Sequence, residues 1–334
     1  MATTSYELDP ADGVDALYCN VSLPLREIFH PLGFSLEIAT NSEEVMKAAR
    51  VSWGHIKKRF PQPALELRIN VDSNGSLSCP QAPKYRAQKY LLSVVADEHN
   101  YATCDLARGF SFAWITPGIV KNQHYLRYHF LEGIVMSMLA CSYTISLHAA
   151  CVELNGRGVM LCGDSGAGKT SLAFACARAG WTYISDDACY LLRDQSDRFV
   201  IGNSHQVRFR PSAAELFPEL KGYSITPRTA GKPSIEVPID SLPGGMKTAF
   251  GTRVEHVIYL NRRKSGSQEL TSYPKESALK KMNYTPYAVE GVEKSHAAAI
   301  ENLLEASVLE LHYHDLDWAV HRLEALVKEK DPQW

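Results

Sequence analysis

The stretch Gly163-Asp164-Ser165-Gly166-Ala167-Gly168-Lys169-Thr170 constrains this chain more than any other. It fits the spacing G-x-x-x-x-G-K-[ST], in which a glycine-rich turn curls the backbone so that several N–H groups aim at one phosphate. Residues 158–162 before it are apolar and read as a buried strand; residues 171–178 after it are rich in helix formers. A helix start at that place adds its partial positive charge to the cradle. The whole run Gly163 to Thr170, together with Ser171, is therefore expected to hold nucleotide phosphates. Lys169 can reach the outer phosphates as a point charge, and the Thr170 hydroxyl is placed to ligate Mg²⁺.

A chain of 334 residues exceeds one typical core. Two domains are expected, an N-terminal α+β domain over 1–124 and a loop-bearing catalytic domain over 125–334. With 45% hydrophobic and 22% charged residues and a net charge of −2, nothing in the bulk charge favours a nucleic-acid or membrane partner. The eight cysteines form no C-x-x-C pair and several sit in apolar runs, as reduced thiols do, so a cytoplasmic home is expected. The N-terminus is polar, without the apolar core of a signal peptide, and no apolar run is long enough to span a bilayer.

Periodicity gives a mostly sheet-like front part. Strands are expected at 34–39, 65–71, 90–96 and 102–114, and a short helix after Asn41 as cap with Glu44 three residues on. Residues 125–143 read as one helix. Residues 145–154 read as one strand, Asn155-Gly156 as a hairpin turn and 158–162 as its return. Gly180 is expected to close the helix after the loop, and 181–185 to form a strand ending on Asp186 and Asp187. Strands follow at 188–192, 198–201, 254–260 and 308–313, with helices at 212–216, 276–282, 295–304 and from Leu316 on. The glycine-, proline- and base-rich stretch 221–236 suits a mobile loop, and 261–267 a basic turn.

The acids decide more about chemistry than the loop does. Asp186 and Asp187 come one helix and one strand after the loop, which returns them to the sheet edge where the loop lies. One of them can hold Mg²⁺; the other can accept a proton from an attacking hydroxyl. His148, between apolar Leu147 and Ala149, is either a core histidine or a catalytic one. Asp164 is unusual inside a phosphate loop, since its charge must be offset by a cation or metal. His312 and His314 lack the spacing and carboxylate of a zinc site.

Taken together, Ser146 to Ala149, the hairpin at Asn155-Gly156, the loop, and Gly180 to Asp187 resemble the catalytic core of bacterial HPr kinase/phosphorylase. That family also carries a histidine upstream of its loop, a G-D-S-G-x-G-K-[ST] loop and an Asp-Asp pair at the end of the next strand. The resemblance implies the P-loop fold shared with phosphoenolpyruvate carboxykinase, with a mixed, antiparallel-rich sheet. It implies ATP and Mg²⁺, Asp187 as general base, Asp186 and Asp187 with Thr170 near the metal, Lys169 on the β- and γ-phosphates and His148 beside the reacting groups. It also implies a homo-oligomer, since family members form hexamers.

The family's signature after the Asp pair is absent; residues 207–211 and 232–236 stand in its place. Its HPr-docking C-terminal helix is not recognisable, and residues 1–124 show no resemblance. The expectation is a kinase that phosphorylates a hydroxyl acceptor other than HPr, either a protein or peptide serine or a small molecule. Divergent relatives include kinases that modify a serine of a ribosomally made peptide. Arg208, Arg210, Arg228 and Lys232 are candidates for steadying the transferring group. The competing expectation is a nucleotide-binding regulator without phosphotransferase activity.

Overall fold

The computed structural model describes residues 21–193, 197–226, 233–242, 245–282 and 292–328, which form two compact units dividing between Met138 and Leu139. In the first unit β1 (Leu25–Phe29), β2 (Leu36–Thr40), β3 (Leu65–Val71), β4 (Lys84–Gln88), β5 (Leu91–Asp97), β6 (Asn100–Asp105) and β7 (Phe110–Ile115) make one sheet in the order β1-β2-β3-β7-β6-β5-β4. The pairs β2–β3 and β3–β7 are parallel and the rest antiparallel. Alternation drives it: Leu65, Leu67 and Ile69 are buried along β3 while Glu66 and Arg68 between them are not. α1 (Glu43–Trp53) lays Val45, Met46, Ala48, Ala49 and Trp53 inward.

Three expectations for this unit change. Ser42 holds the cap position of α1; the Asn41 side chain instead bonds both backbone groups of Val71, at 2.8 and 3.0 Å. Residues 102–114 are two strands, because Asp105 Oδ1 accepts the N–H groups of Ala107 and Arg108 and Gly109 turns at φ +65°. β4 is exposed throughout, so no apolar alternation announces it. The helix expected over 125–143 is a π-helical segment Leu126–Glu132 followed by α4 (Gly133–Ser142), with the short helices α2 (Pro117–Lys121) and α3 (Gln123–Tyr125) before it. No helix among the described residues is long and apolar enough to cross a membrane.

The second unit holds β8 (Thr144–Leu147), β9 (Ala150–Leu154), β10 (Arg157–Cys162), β11 (Thr182–Ser185), β12 (Cys189–Leu192) and β13 (Phe199–Gly202). Then come β14 (Gln206–Phe209), β15 (Ile225–Thr226), β16 (Ser234–Pro238), β17 (Gly251–Arg262), β18 (Glu269–Ser272) and β19 (Ser307–Tyr313). The nine-stranded sheet runs β11-β9-β10-β17-β13-β12-β8, with β19 beside the end of β17 and β18 beside β19. β10 and β19 are parallel to β17; the other pairs are antiparallel. β14, β16 and β15 form a separate small sheet, so residues 225–226 and 234–236 of the segment expected to be mobile are strand. Its middle, with Arg228 and Lys232, lies outside the described residues.

Helices cover both faces of the large sheet. α5 (Lys169–Arg178) and the final helix share a core with the small sheet, where Phe174 meets Phe209 and Phe217 edge-on at 4.9 Å. The other face takes α6 (Lys275–Met282) and α7 (Val292–Leu303). The last helix, α8 (Leu316–Lys328), buries Ala319, Val320, Leu323, Leu326 and Val327. The class is α+β with mixed sheets, as expected.

Candidate active site

Strand direction builds the site. β9 is antiparallel to both β10 and β11, so β10 and β11 point the same way and end at one edge, where β9 begins. The phosphate loop leaves β10 there, Asp186 and Asp187 leave β11 there, and His148 lies just before β9. The hairpin that sets this register turns through Asn155 at φ +54° and Gly156 at φ +78°, as a type I′ turn requires. Residues 145–154 are not one strand. The Ala149 N–H bonds Leu147 O at 2.9 Å, which breaks the ladder and leaves His148 exposed at the sheet edge.

The loop is held from both ends. Gly168 at φ +99° leads into α5, whose alanines favour helix. The helix closes on Gly180 at φ +95°, where Gly180 N–H bonds Ala177 O and Trp181 N–H bonds Cys176 O, the paired bonds of a glycine C-cap. Tyr313, buried at the end of β19, donates its hydroxyl to Ala167 O at 3.1 Å and braces the loop from behind. The Lys169 ammonium donates to Gly163 O at 2.7 Å and Asp164 O at 3.2 Å. Burial lowers its pKa from the ordinary lysine value, against the pull of Asp187, Cys162 and Asp164.

Besides Lys169, Lys281 at the end of α6 feels Asp164. The Lys281 ammonium lies 5.3 Å from the Tyr259 ring centroid and 5.5 Å from that of Tyr273. Its pKa is raised, first by Tyr273 and further by Asp164 and Glu310. Sequence spacing gives no sign of Lys281, because α6 lies far along the chain from the loop.

The two acids part company. Asp187 is exposed and lines a cleft of about 290 Å³ together with His148, Ser165, Gly166, Lys169 and Thr170. His148 Nδ1 lies 3.0 Å from Asp187 O and 3.4 Å from Asp187 Oδ1. Asp186 turns the other way, as the next residue on an extended chain must, and its carboxylate is buried. Its Oδ2 accepts the Arg208 N–H at 2.8 Å, and its Oδ1 lies 3.0 Å from the Tyr183 hydroxyl. Only its carbonyl faces Thr170, whose Oγ1 lies 3.4 Å away. Asp186 thus ties β14 to β11, and it is Asp187 whose carboxylate opens to the cleft. No group of three His, Cys, Asp or Glu among the described residues could hold a metal. One carboxylate and one hydroxyl, Asp187 and Thr170, fit an ion that takes its remaining ligands from phosphates and water, as Mg²⁺ does.

Of the expected basic residues, Arg208 lines the cleft with its Nε 3.7 Å from Glu236 Oε1, and Arg210 lines it as well. Arg262, read from sequence only as part of a turn, lines it too. His312 is held between Glu310, at 2.9 Å, and Glu269, at 3.6 Å, away from the cleft.

Burial pushes the Asp186 carboxyl up to about 6, against the hydrogen bonds from Arg208 and Tyr183 that favour its charge. The folded value is above the unfolded one, so its stabilising contribution is complete below about pH 4 and is lost as pH rises through 6. The loss amounts to about 3 kcal/mol. An asparagine supplies one acceptor to Arg208 N–H and a donor to Tyr183 Oη, whose own proton can go to Gln206 O at 3.2 Å. Urea unfolding of Asp186→Asn without nucleotide or divalent metal should therefore lack this decline between pH 4 and 7. Identical pH profiles for variant and parent would remove the assignment.

Residues 119–225 match the family model described as "SynChlorMet cassette protein ScmC". The chain is also similar to curated HPr kinase/phosphorylases. It is 27% identical over 140 residues to that of Xanthomonas oryzae, covering 42% of this chain and 35% of the relative. It is 28% identical over 130 residues to that of Peptoclostridium acidaminophilum, covering 36% and 39%. It is 29% identical over 82 residues to that of Bacillus subtilis, covering 25% and 24%. The matches span between 24% and 39% of those relatives' length. Among solved structures, the Hpr(Ser) kinase/phosphatase of Coxiella burnetii aligns with 55% of this chain and 97% of its own at 12% identity and a TM-score of 0.28. The distant sequence similarity points to a kinase-like or nucleotide-binding function.

Proposed function

We propose that residues 125–334 form an HPr kinase-like catalytic domain that transfers the γ-phosphoryl group of ATP, with Mg²⁺, to a hydroxyl acceptor. The observation that carries this reading is Asp187. An exposed carboxylate held by a neighbouring imidazole faces a phosphate loop across one cleft, and a protein that only binds nucleotide has no use for a base there. Asp187 takes the acceptor's hydroxyl proton on a carboxylate oxygen. His148 fixes that carboxylate and keeps the acceptor side of the cleft polar. The amides of Gly163 to Thr170, the Ser171 hydroxyl and Lys169 hold the phosphates in line and spread their charge, which is most of what phosphoryl transfer asks of a protein. Thr170 and Asp187 would hold Mg²⁺, which would supply charge neutralisation to the phosphates. Asp186 positions these groups through β14 rather than touching the reactants.

The acceptor is a protein or peptide serine or a small hydroxyl compound, and not HPr, because the segments at 207–211 and 232–236 replace the signature of enzymes that act on HPr. The test is incubation of the pure protein with γ-labelled ATP and a fractionated lysate. One fraction should take up label with the parent protein and none with Asp187→Asn. Nucleotide binding without label in any fraction would favour the regulator reading instead.

A further inference from the structure

On the far side of the loop tip lies a second cleft that the proposed transfer does not use. Gly166 and Ala167 form its near wall, and Arg262, Arg263, Lys264 and His314 form the rest. It is built on rigid strand ends. Arg262 pairs with Tyr313 in the β17–β19 register, and the Arg263 N–H bonds Tyr313 O at 2.8 Å. Gln268 Oε1 then accepts the N–H groups of His314 and Asp315, at 3.0 and 2.8 Å, and pins the facing chain. Arg262, Arg263 and Lys264 have no ion-pair partner among the described residues. Asp315, next to His314, caps α8 by accepting the Trp318 N–H at 2.7 Å. Three uncompensated cations on adjacent residues repel one another, an arrangement that an anion would relieve.

The two clefts divide by chemistry. The first has an apolar wall of Phe209, Ala213 and Leu216 beside Ser171 and Ser212, suited to a flat base next to its phosphates. The second offers no apolar side chain but Ala167 and suits a charged group alone. The donor's own charge already has the loop amides, Lys169 and the α5 terminus. Arg262 lines both clefts, so an acceptor with its hydroxyl at Asp187 can set an anionic group against Arg262 and its neighbours.

We infer that Arg262, Arg263, Lys264 and His314 form a recognition site for a carboxylate-bearing acceptor, an acidic peptide segment carrying the serine to be phosphorylated. This rests on the kinase reading above. The probe is a fluorescein-labelled pentapeptide with one serine between four glutamates, and its counterpart with four glutamines, each titrated by anisotropy in the presence of Mg·ADP. The glutamate peptide should bind about tenfold or more tightly than the glutamine one, and less so as salt rises. The preference should shrink in R263Q/K264Q and vanish in R263E/K264E, with thermal midpoints and affinity for a fluorescent ATP analogue unchanged. No preference in the parent, or a preference that survives charge reversal, overturns the inference. So does a loss of ATP-analogue affinity in R263E/K264E, which would give the cluster to the nucleotide. Failure of the kinase reading would show separately, as intact peptide preference with no label transferred from ATP.

Discussion

Asp187→Asn is expected to lower phosphoryl transfer by roughly 10²- to 10⁴-fold, the usual worth of a general base, while nucleotide affinity stays within about threefold. The substitution keeps the size of the side chain and removes its charge and basicity. The backbone around it should hold, because His148 Nδ1 bonds Asp187 O as well as facing the carboxylate. Asp187 is exposed, so folding loses little, and the nucleotide keeps the loop amides, Lys169 and Thr170. A metal contact at Asp187 would add a second effect, a higher Mg²⁺ requirement, readable by titrating Mg²⁺ at fixed ATP. Single-turnover transfer from γ-labelled ATP and equilibrium binding of a fluorescent ATP analogue separate the two. Transfer near the parental rate would remove Asp187 from the reaction. A parallel loss of binding and transfer would make it a nucleotide ligand only.

The residues behind that prediction were legible in the sequence to different degrees. The loop, the type I′ turn and the Gly180 cap announce themselves because each needs glycine or asparagine where the backbone takes a positive φ. The Asp pair was legible as a pair, but its division of labour depends on what β14 brings to Asp186, and β14 arrives from later in the chain. In the sequence His148 reads as part of a strand. Leu147 and Ala149 continue the apolar pattern, and only the local bond from Ala149 N–H to Leu147 O stops the ladder. β18 and β4 escaped because an edge strand that buries one residue or none leaves no period to detect. Tyr313 and Arg262 reach the loop only once β17 and β19 are assembled, so no spacing in the chain could have marked them.

The second large effect concerns the loop's geometry rather than its chemistry. Gly168→Ala should abolish measurable nucleotide binding and cost about 1–3 kcal/mol of stability from backbone strain alone, since Gly168 sits at φ +99°. Sterics add to this. A Cβ at Gly168 would lie 2.4 Å from the Tyr313 hydroxyl, which is not a free side-chain end. Tyr313 is buried and its hydroxyl is tied to Ala167 O, so neither partner can yield without moving the loop. Tyr313→Phe separates the two contributions. Alone it removes one hydrogen bond and should cost about 1 kcal/mol, with nucleotide affinity weakened only a few-fold. Combined with Gly168→Ala it removes the 2.4 Å contact and leaves the ring carbon at 3.7 Å, an ordinary distance. The double variant should therefore be more stable than the sum of the singles predicts, by about 1–2 kcal/mol. It should still bind nucleotide poorly, because the strain at φ +99° remains. Thermal or urea unfolding of the four proteins, with ATP-analogue binding for each, reads both terms. Strict additivity would mean that the loop gives way around Gly168 and that Tyr313 does not brace it.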